Sequence, residues 1–92
     1  MDLCVDVTPA ATSYQTNPDF SVEWETDYFI IANKSTTASD IVYFSFDGVT
    51  DHGVLIPGVY GWAKRNEKRK RVWTRCANAG SVDVNIAAFT VR

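Results

Sequence analysis

His52 is the sole histidine of the chain, set in Asp47-Gly48-Val49-Thr50-Asp51-His52-Gly53, with carboxylates on its N-terminal side and glycine after it. An imidazole in such a loop could act as a general base or a metal ligand, with Asp47 and Asp51 lending oxygens to a hard cation. Neither chemistry finds the rest of its equipment. No second histidine is available, the twelve-residue calcium-loop spacing is absent, and the simpler reading is a turn whose aspartates accept hydrogen bonds from backbone amides. Cys4 and Cys76 fit neither a CxxC motif nor a zinc spacing. Serines and carboxylates occur in no activating context, and there is no glycine-rich phosphate loop or paired-acid signature. The expectation is a chain that is not an enzyme and takes no cofactor or metal.

Charge carries a stronger signal. Seven of the nine basic residues fall within 64–75: Lys64, Arg65, Lys68, Arg69, Lys70, Arg71 and Arg75. Residues 1–60 hold nine acidic side chains against Lys34 alone, a balance of −8, while residues 61–92 balance at +6. The net charge of −2 conceals this dipole, which suits contact with an acidic partner or with further copies of the chain. Three readings of the basic segment stand: a solvated arm or one paired with the acids of its own sheet, a dock on a neighbouring protein, or a phosphate-binding strip. A pI near 5.1 and the absence of a nucleic-acid motif weigh against the last.

Arg71, Trp73 and Arg75 alternate, so on a strand they share one face with an indole between two guanidinium groups. Arg and Trp concentrate binding energy at protein interfaces, and burying two arginines would be costly, which places this face outside. Trp62, Trp73 and Tyr60 could alternatively offer a stacking platform to a sugar, although most aromatics in a small β domain belong to its core.

Ninety-two residues make one domain, residues 1–92, and a chain of this size buries little more than about 60% of its unfolded surface. Frequent valine and 13% aromatic content favour strands. No apolar run approaches the roughly 18–20 residues that span a bilayer, and the N-terminus lacks a basic then apolar leader, so the expectation is a soluble chain without a secretory signal and without membrane contact. Leu3, Val5 and Val7 alternate with Asp2, Cys4 and Asp6, and Pro9 closes that strand. Residues 10–18 read as a surface connection. Residues 21–32 read as one strand, with Val22, Trp24, Thr26, Tyr28 and Ile30 inward and Glu23, Glu25 and Asp27 forming an acidic ribbon; Phe29 and Ile31 then turn that outer side apolar, as if another chain covered it. Residues 40–47 are apolar on both sides, as a central strand should be, and residues 53–56 form a short strand ending at Pro57-Gly58. Val72, Thr74 and Cys76 face the core from the next strand. Val82, Val84, Ile86 and Ala88 do so from the last, whose outer face ends in Phe89 and Val91. This alternation puts the two thiols on opposite sides of their strands and favours leaving them unbonded, with a bridge between terminal strands still open. The fold class is all-β: an antiparallel β-sandwich, Ig-like or jelly-roll-like, of about six to eight short strands.

The order Val42-Tyr43-Phe44-Ser45-Phe46-Asp47-Gly48, Gly53-Val54-Leu55-Ile56-Pro57-Gly58, Lys70-Arg71-Val72-Trp73-Thr74-Arg75 and a closing alternating strand resembles small virion structural proteins of tailed bacteriophages. The likeness runs over residues 40–92. It implies a β-sandwich that sits on or between capsid, neck or tail subunits and does no chemistry, without selecting among those places. Taken with the separated charges, the expectation is a virion protein made in the host cytoplasm, foremost a capsid decoration or cement protein; a head–tail connector or tail component is the neighbouring alternative, and a free carbohydrate- or host-surface-binding module the more distant one. Its partners would be capsid or other virion proteins, with copies of itself in the assembly. The contact surface would then comprise the acids Glu23, Glu25 and Asp27, the bases Lys64, Arg65, Lys68, Arg69, Arg71 and Arg75, and Trp73. Phe29, Ile31, Phe89 and Val91 would add apolar contact.

Overall fold

The eight described strands pair as the two arms of one long hairpin. The computed structural model describes residues 2–22, 28–57, 62–65 and 70–89. Its strands are β1 (Asp2–Val7), β2 (Phe20–Ser21), β3 (Tyr28–Asn33), β4 (Val42–Ser45), β5 (Gly53–Leu55), β6 (Trp62–Arg65), β7 (Arg71–Cys76) and β8 (Val84–Phe89). Along the hairpin β4 pairs with β5, β3 with β6, β2 with β7 and β1 with β8, all antiparallel. Successive rungs go to alternate sheets, giving the orders β1-β8-β3-β6 and β2-β7-β4-β5. A hairpin rolled in this way is a jelly roll, so the expected all-β sandwich is present and the jelly-roll form of it is the one adopted.

The alternation in the sequence becomes the two faces of each sheet. In β7, Val72, Thr74 and Cys76 are buried while Arg71 is exposed and Trp73 and Arg75 are half-buried on the outer side. In β8, Val84, Ile86 and Ala88 are fully enclosed. Val5 and Val7 of β1 lie against the core, with Cys4 and Asp6 exposed opposite them. As a central strand, β4 lies between β5 and β7 and buries Val42 and Phe44. Phe20 of one sheet meets Phe29 of the other edge-on at 5.9 Å, a favoured aromatic geometry across the sandwich. Gly53 is dictated by this core: a Cβ there would collide with the Phe44 ring.

Residues 21–32 correct the sequence reading. They contribute to two strands in different sheets, β2 and β3, rather than to one. Phe20 and Val22 face inward at even positions, whereas Phe29, Ile31 and Asn33 do so at odd positions. Crossing the sandwich reverses which side of a strand looks at the core, so the apolar turn at Phe29 and Ile31 marks a change of sheet. Both side chains are enclosed by their own chain and cannot offer apolar contact to a neighbour, and Ile30 lies on the outer, half-buried side.

At this crossing the two arms of the hairpin keep company. Ser21 lies opposite Arg71, the Val22 amide donates to the Lys70 carbonyl at 2.9 Å, and Tyr28 lies opposite Arg65. Glu23, Glu25, Asp27, Lys68 and Arg69 lie outside the described residues.

Residues 10–18, expected as a surface connection, run with their flanking residues along the side of β7 away from β4, beyond the short β2, and are tied to it. The Cys76 amide donates to the Ala11 carbonyl at 2.8 Å, and the Asp19 amide to the Val72 carbonyl at 3.0 Å. One Asp19 carboxylate oxygen accepts both the Thr74 amide (2.7 Å) and the Thr74 hydroxyl (3.0 Å), and the other accepts Gln15 (2.9 Å). Asn33 stitches the sheets together from within: its buried amide donates to the carbonyls of Asp40 and Leu55 and accepts from Ser35.

Candidate interaction surface

The outer face of β2-β7-β4-β5 carries three of the expected contact residues, Arg71, Trp73 and Arg75. The register sets Arg75 beside Tyr43 and Tyr43 beside Val54, and it sets Trp73 beside Ser45 and Arg71 beside Ser21. Lys70 and Arg71 are exposed, and Val54 and Ile56 are 46% and 50% exposed large apolar side chains at the β5 edge. Val49, at the tip of the loop after β4, is 83% exposed.

Within this face the three residues of the expected guanidinium–indole row do different things. The Arg75 guanidinium grips Asp51 with two bonds, Nε to Oδ1 at 3.1 Å and Nη2 to Oδ2 at 2.6 Å, and donates from Nη1 to the Thr12 carbonyl at 3.2 Å. Its carbon lies 4.3 Å from the centre of the Tyr43 ring and 5.6 Å from that of Tyr14, so the observed stacking is on tyrosines. The Tyr14 hydroxyl donates to the same Asp51 carboxylate. Each charge shows in its neighbours: the hydrogen bond from Arg75, aided by that from Tyr14, holds the Asp51 carboxyl below its usual range, while burial and the bond to Asp51 push the Tyr14 phenol up. Arg75 therefore fastens the N-terminal connection and the β4–β5 loop onto β7, and its fork is already filled. Trp73, expected to lie exposed between the two arginines, is half-buried beneath the loop, its indole so close to Gly48 that a Cβ there would lie 3.0 Å from the ring. Gly48 also has φ +78, which a residue with a side chain rarely adopts. Arg71 alone of the three stays exposed.

The loop around His52 is held by its own polar groups. One Asp47 carboxylate oxygen accepts the amides of Val49 and Thr50, both at 2.8 Å, and the Ser45 hydroxyl at 2.8 Å. These bonds, those from Thr50 and Val49 foremost, hold the Asp47 carboxyl far below its ordinary value. His52 accepts the Phe46 amide at Nδ1 (3.0 Å), its ring lies 5.2 Å from that of Phe46, and its own amide donates to the Phe44 carbonyl. Asp47 and the Nδ1 of His52 are thus engaged in shaping the turn, while Asp51 is held by Arg75 and Tyr14. Among the described residues no three of His, Cys, Asp and Glu gather into a set that could hold a metal ion, and no helix is long and apolar enough to cross a membrane.

Both thiols are free, Cys4 exposed on β1 and Cys76 buried beside the Pro9 carbonyl. Burial pushes the Cys76 thiol up. A depression of about 320 Å³ opens between residues 8–11, Ser13, Gln15, Asp19 and Thr74. Lys64 and Arg65 stand on β6, at the opposite edge of the other sheet from β1, and Phe89 is half-buried at the end of β8. Trp24, Tyr60 and Val91 lie outside the described residues, as does the acidic ribbon. Sequence reasoning missed Asp51, Tyr14 and Tyr43 as partners of Arg75. A single aromatic residue, Tyr14, in a 10–18 segment otherwise made of small and polar residues was the available sign that this segment docks onto something apolar or cationic.

No family model matches the chain, and no curated protein does. Among solved structures the chain is similar to one from "Bacillus endospore appendages form a novel family of disulfide-linked pili", at 17% identity and TM-score 0.46, over 99% of this chain and 87% of that one. A likeness this loose carries no functional argument.

Proposed function

We propose that the chain is a non-enzymatic structural protein that works by docking onto neighbouring subunits of an assembly, in the first instance as a decoration or cement protein on a bacteriophage capsid. The observation that carries this reading is the outer face of β2-β7-β4-β5: exposed Arg71 stands next to half-buried Trp73, with half-buried Tyr43 on the neighbouring strand and exposed Val54 and Ile56 at the sheet edge, and exposed Lys70 immediately precedes Arg71 at the start of β7. Arginine, tryptophan and tyrosine grouped around apolar area are the residue types that anchor protein interfaces, while bases at the margin steer an acidic partner into register. The resemblance over residues 40–92 and the separation of acidic from basic sequence point the same way. A connector or tail position in the same particle would use the same face. On this reading the chain needs no cofactor, resides in the virion and binds protein rather than nucleic acid.

The basic contribution to docking falls to Lys70 and Arg71, since Arg75 is engaged within the chain. Particles assembled with the Lys70→Glu, Arg71→Glu double variant, its fold verified by circular dichroism, should lose the protein on purification while wild-type particles retain it. Normal incorporation of that variant sinks the reading. A saturable glycan affinity lost on Trp73→Ala would replace it with a carbohydrate-binding module.

A further inference from the structure

The two edges of one sheet carry opposite charge. In β1-β8-β3-β6, among the described residues, β1 pairs only with β8 and β6 only with β3, so each leaves one side of its backbone ladder open. The β1 edge reads Asp-Leu-Cys-Val-Asp-Val, and the β6 edge reads Trp-Ala-Lys-Arg. Bases on an edge strand discourage pairing with an arbitrary strand, and an acidic edge is the partner that turns this discouragement into attraction.

Strand direction favours the same match. Every neighbouring pair in this sheet is antiparallel, so with four strands β1 and β6 run in opposite senses. A second copy displaced sideways in the same orientation therefore brings its β1 antiparallel to β6 of the first. The ladder continues with the core on the same side of the sheet. We propose that the chain associates head to tail with copies of itself, β6 of one molecule extending onto β1 of the next.

The register follows from the faces. Lys64 and Trp62 hold the positions opposite the core residues Phe29 and Ile31, and Val5 and Val7 pack against the core from β1. Matching those faces and using all of β6 leaves two registers, and of these only one sets Arg65 opposite an acid: Arg65 opposite Asp2, Lys64 opposite Leu3, Ala63 opposite Cys4 and Trp62 opposite Val5 of the next copy. Such a contact uses different surfaces on its two partners, so it propagates into a ring or a filament instead of stopping at two. It involves neither the outer face assigned above to docking nor any particle, and purified protein alone tests it.

Ala63→Cys places a thiol opposite Cys4 of the neighbouring copy. Under mild oxidation it should give a ladder of dimers, trimers and higher species on a non-reducing gel, absent from wild type and from the Ala63→Cys, Cys4→Ser variant; buried Cys76 takes no part. In sedimentation at low salt, Arg65→Glu should weaken self-association at least about tenfold, and adding Asp2→Arg should restore it. A ladder that survives Cys4→Ser, or Ala63→Cys protein that stays monomeric throughout, overturns the proposal, and the cross-linking arm decides alone if Arg65→Glu does not fold. Failure here leaves particle incorporation untouched, because that assay reads a different surface.

Discussion

Replacing Arg75 with glutamine tests whether this arginine is a fastener or a docking group. The variant keeps the aliphatic stem and a polar end but removes the charge, the fork to Asp51 and the stacking on Tyr43. Two hydrogen bonds to a carboxylate, taken at the low end of about 1.5 kcal/mol each, and about 0.5–1 kcal/mol for the stacked guanidinium set the gross loss. The pair is only partly buried, with the side chains of Arg75 and Asp51 23% and 39% exposed, so water recovers part of this on mutation. A net loss of about 2–3 kcal/mol remains, which lowers Tm by about 10–20 °C for a domain of this size. The pH dependence has a definite sign. Because Asp51 titrates lower in the folded protein than in the unfolded chain, the pair contributes fully above the unfolded value of about 4, and its contribution is lost as pH falls through the folded value. Thermal melts of wild type and Arg75→Gln should therefore lie far apart at pH 7 and draw together as pH drops below about 4. A Tm within about 2 °C of wild type at pH 7, or a gap that persists undiminished at pH 3, refutes the account.

The turn and the thiols offer two further checks. Gly48→Ala forces a side chain into both a left-handed backbone and the Trp73 ring, and should cost about 1–3 kcal/mol with a shifted Trp fluorescence maximum as the indole is displaced; denaturant titration reads both. A thiol reagent should modify Cys4 at once in native protein and Cys76 only as fast as the protein opens, so two equally fast thiols would contradict the burial of Cys76.

What could be read from the sequence was the part written in nearest-neighbour pattern. The alternation Val72, Thr74, Cys76 against Arg71, Trp73, Arg75 identified β7 and its faces, and the two-sided apolar run at residues 40–47 identified β4 as central. Asp47-Gly48 announced the turn that caps Trp73. The parity change between Val22 and Phe29 was visible too, but the same pattern arises when a strand is covered by another chain and when it changes sheet, and only the pairing of β2 with β7 and β3 with β6 separates the two. The partner of Arg75 was not legible because Asp51 lies 24 residues away, joined to it by no local spacing. A row of charged and aromatic residues on a strand declares its face, and says nothing about which members are already spoken for across the sheet.

The rolled hairpin also fixes an order of events in time. Its innermost rung joins Phe44 to Gly53, while its outermost joins Asp2 to Phe89. Closing short loops first is entropically cheaper, so the ribbon should zip from the β4–β5 turn outward and seal its terminal strands last. During synthesis β1 emerges ahead of the six other described strands that separate it from β8, and it waits for that partner. Until then the acidic terminal strand has no partner within its own molecule, and high local concentrations of nascent chains would offer it the wrong one.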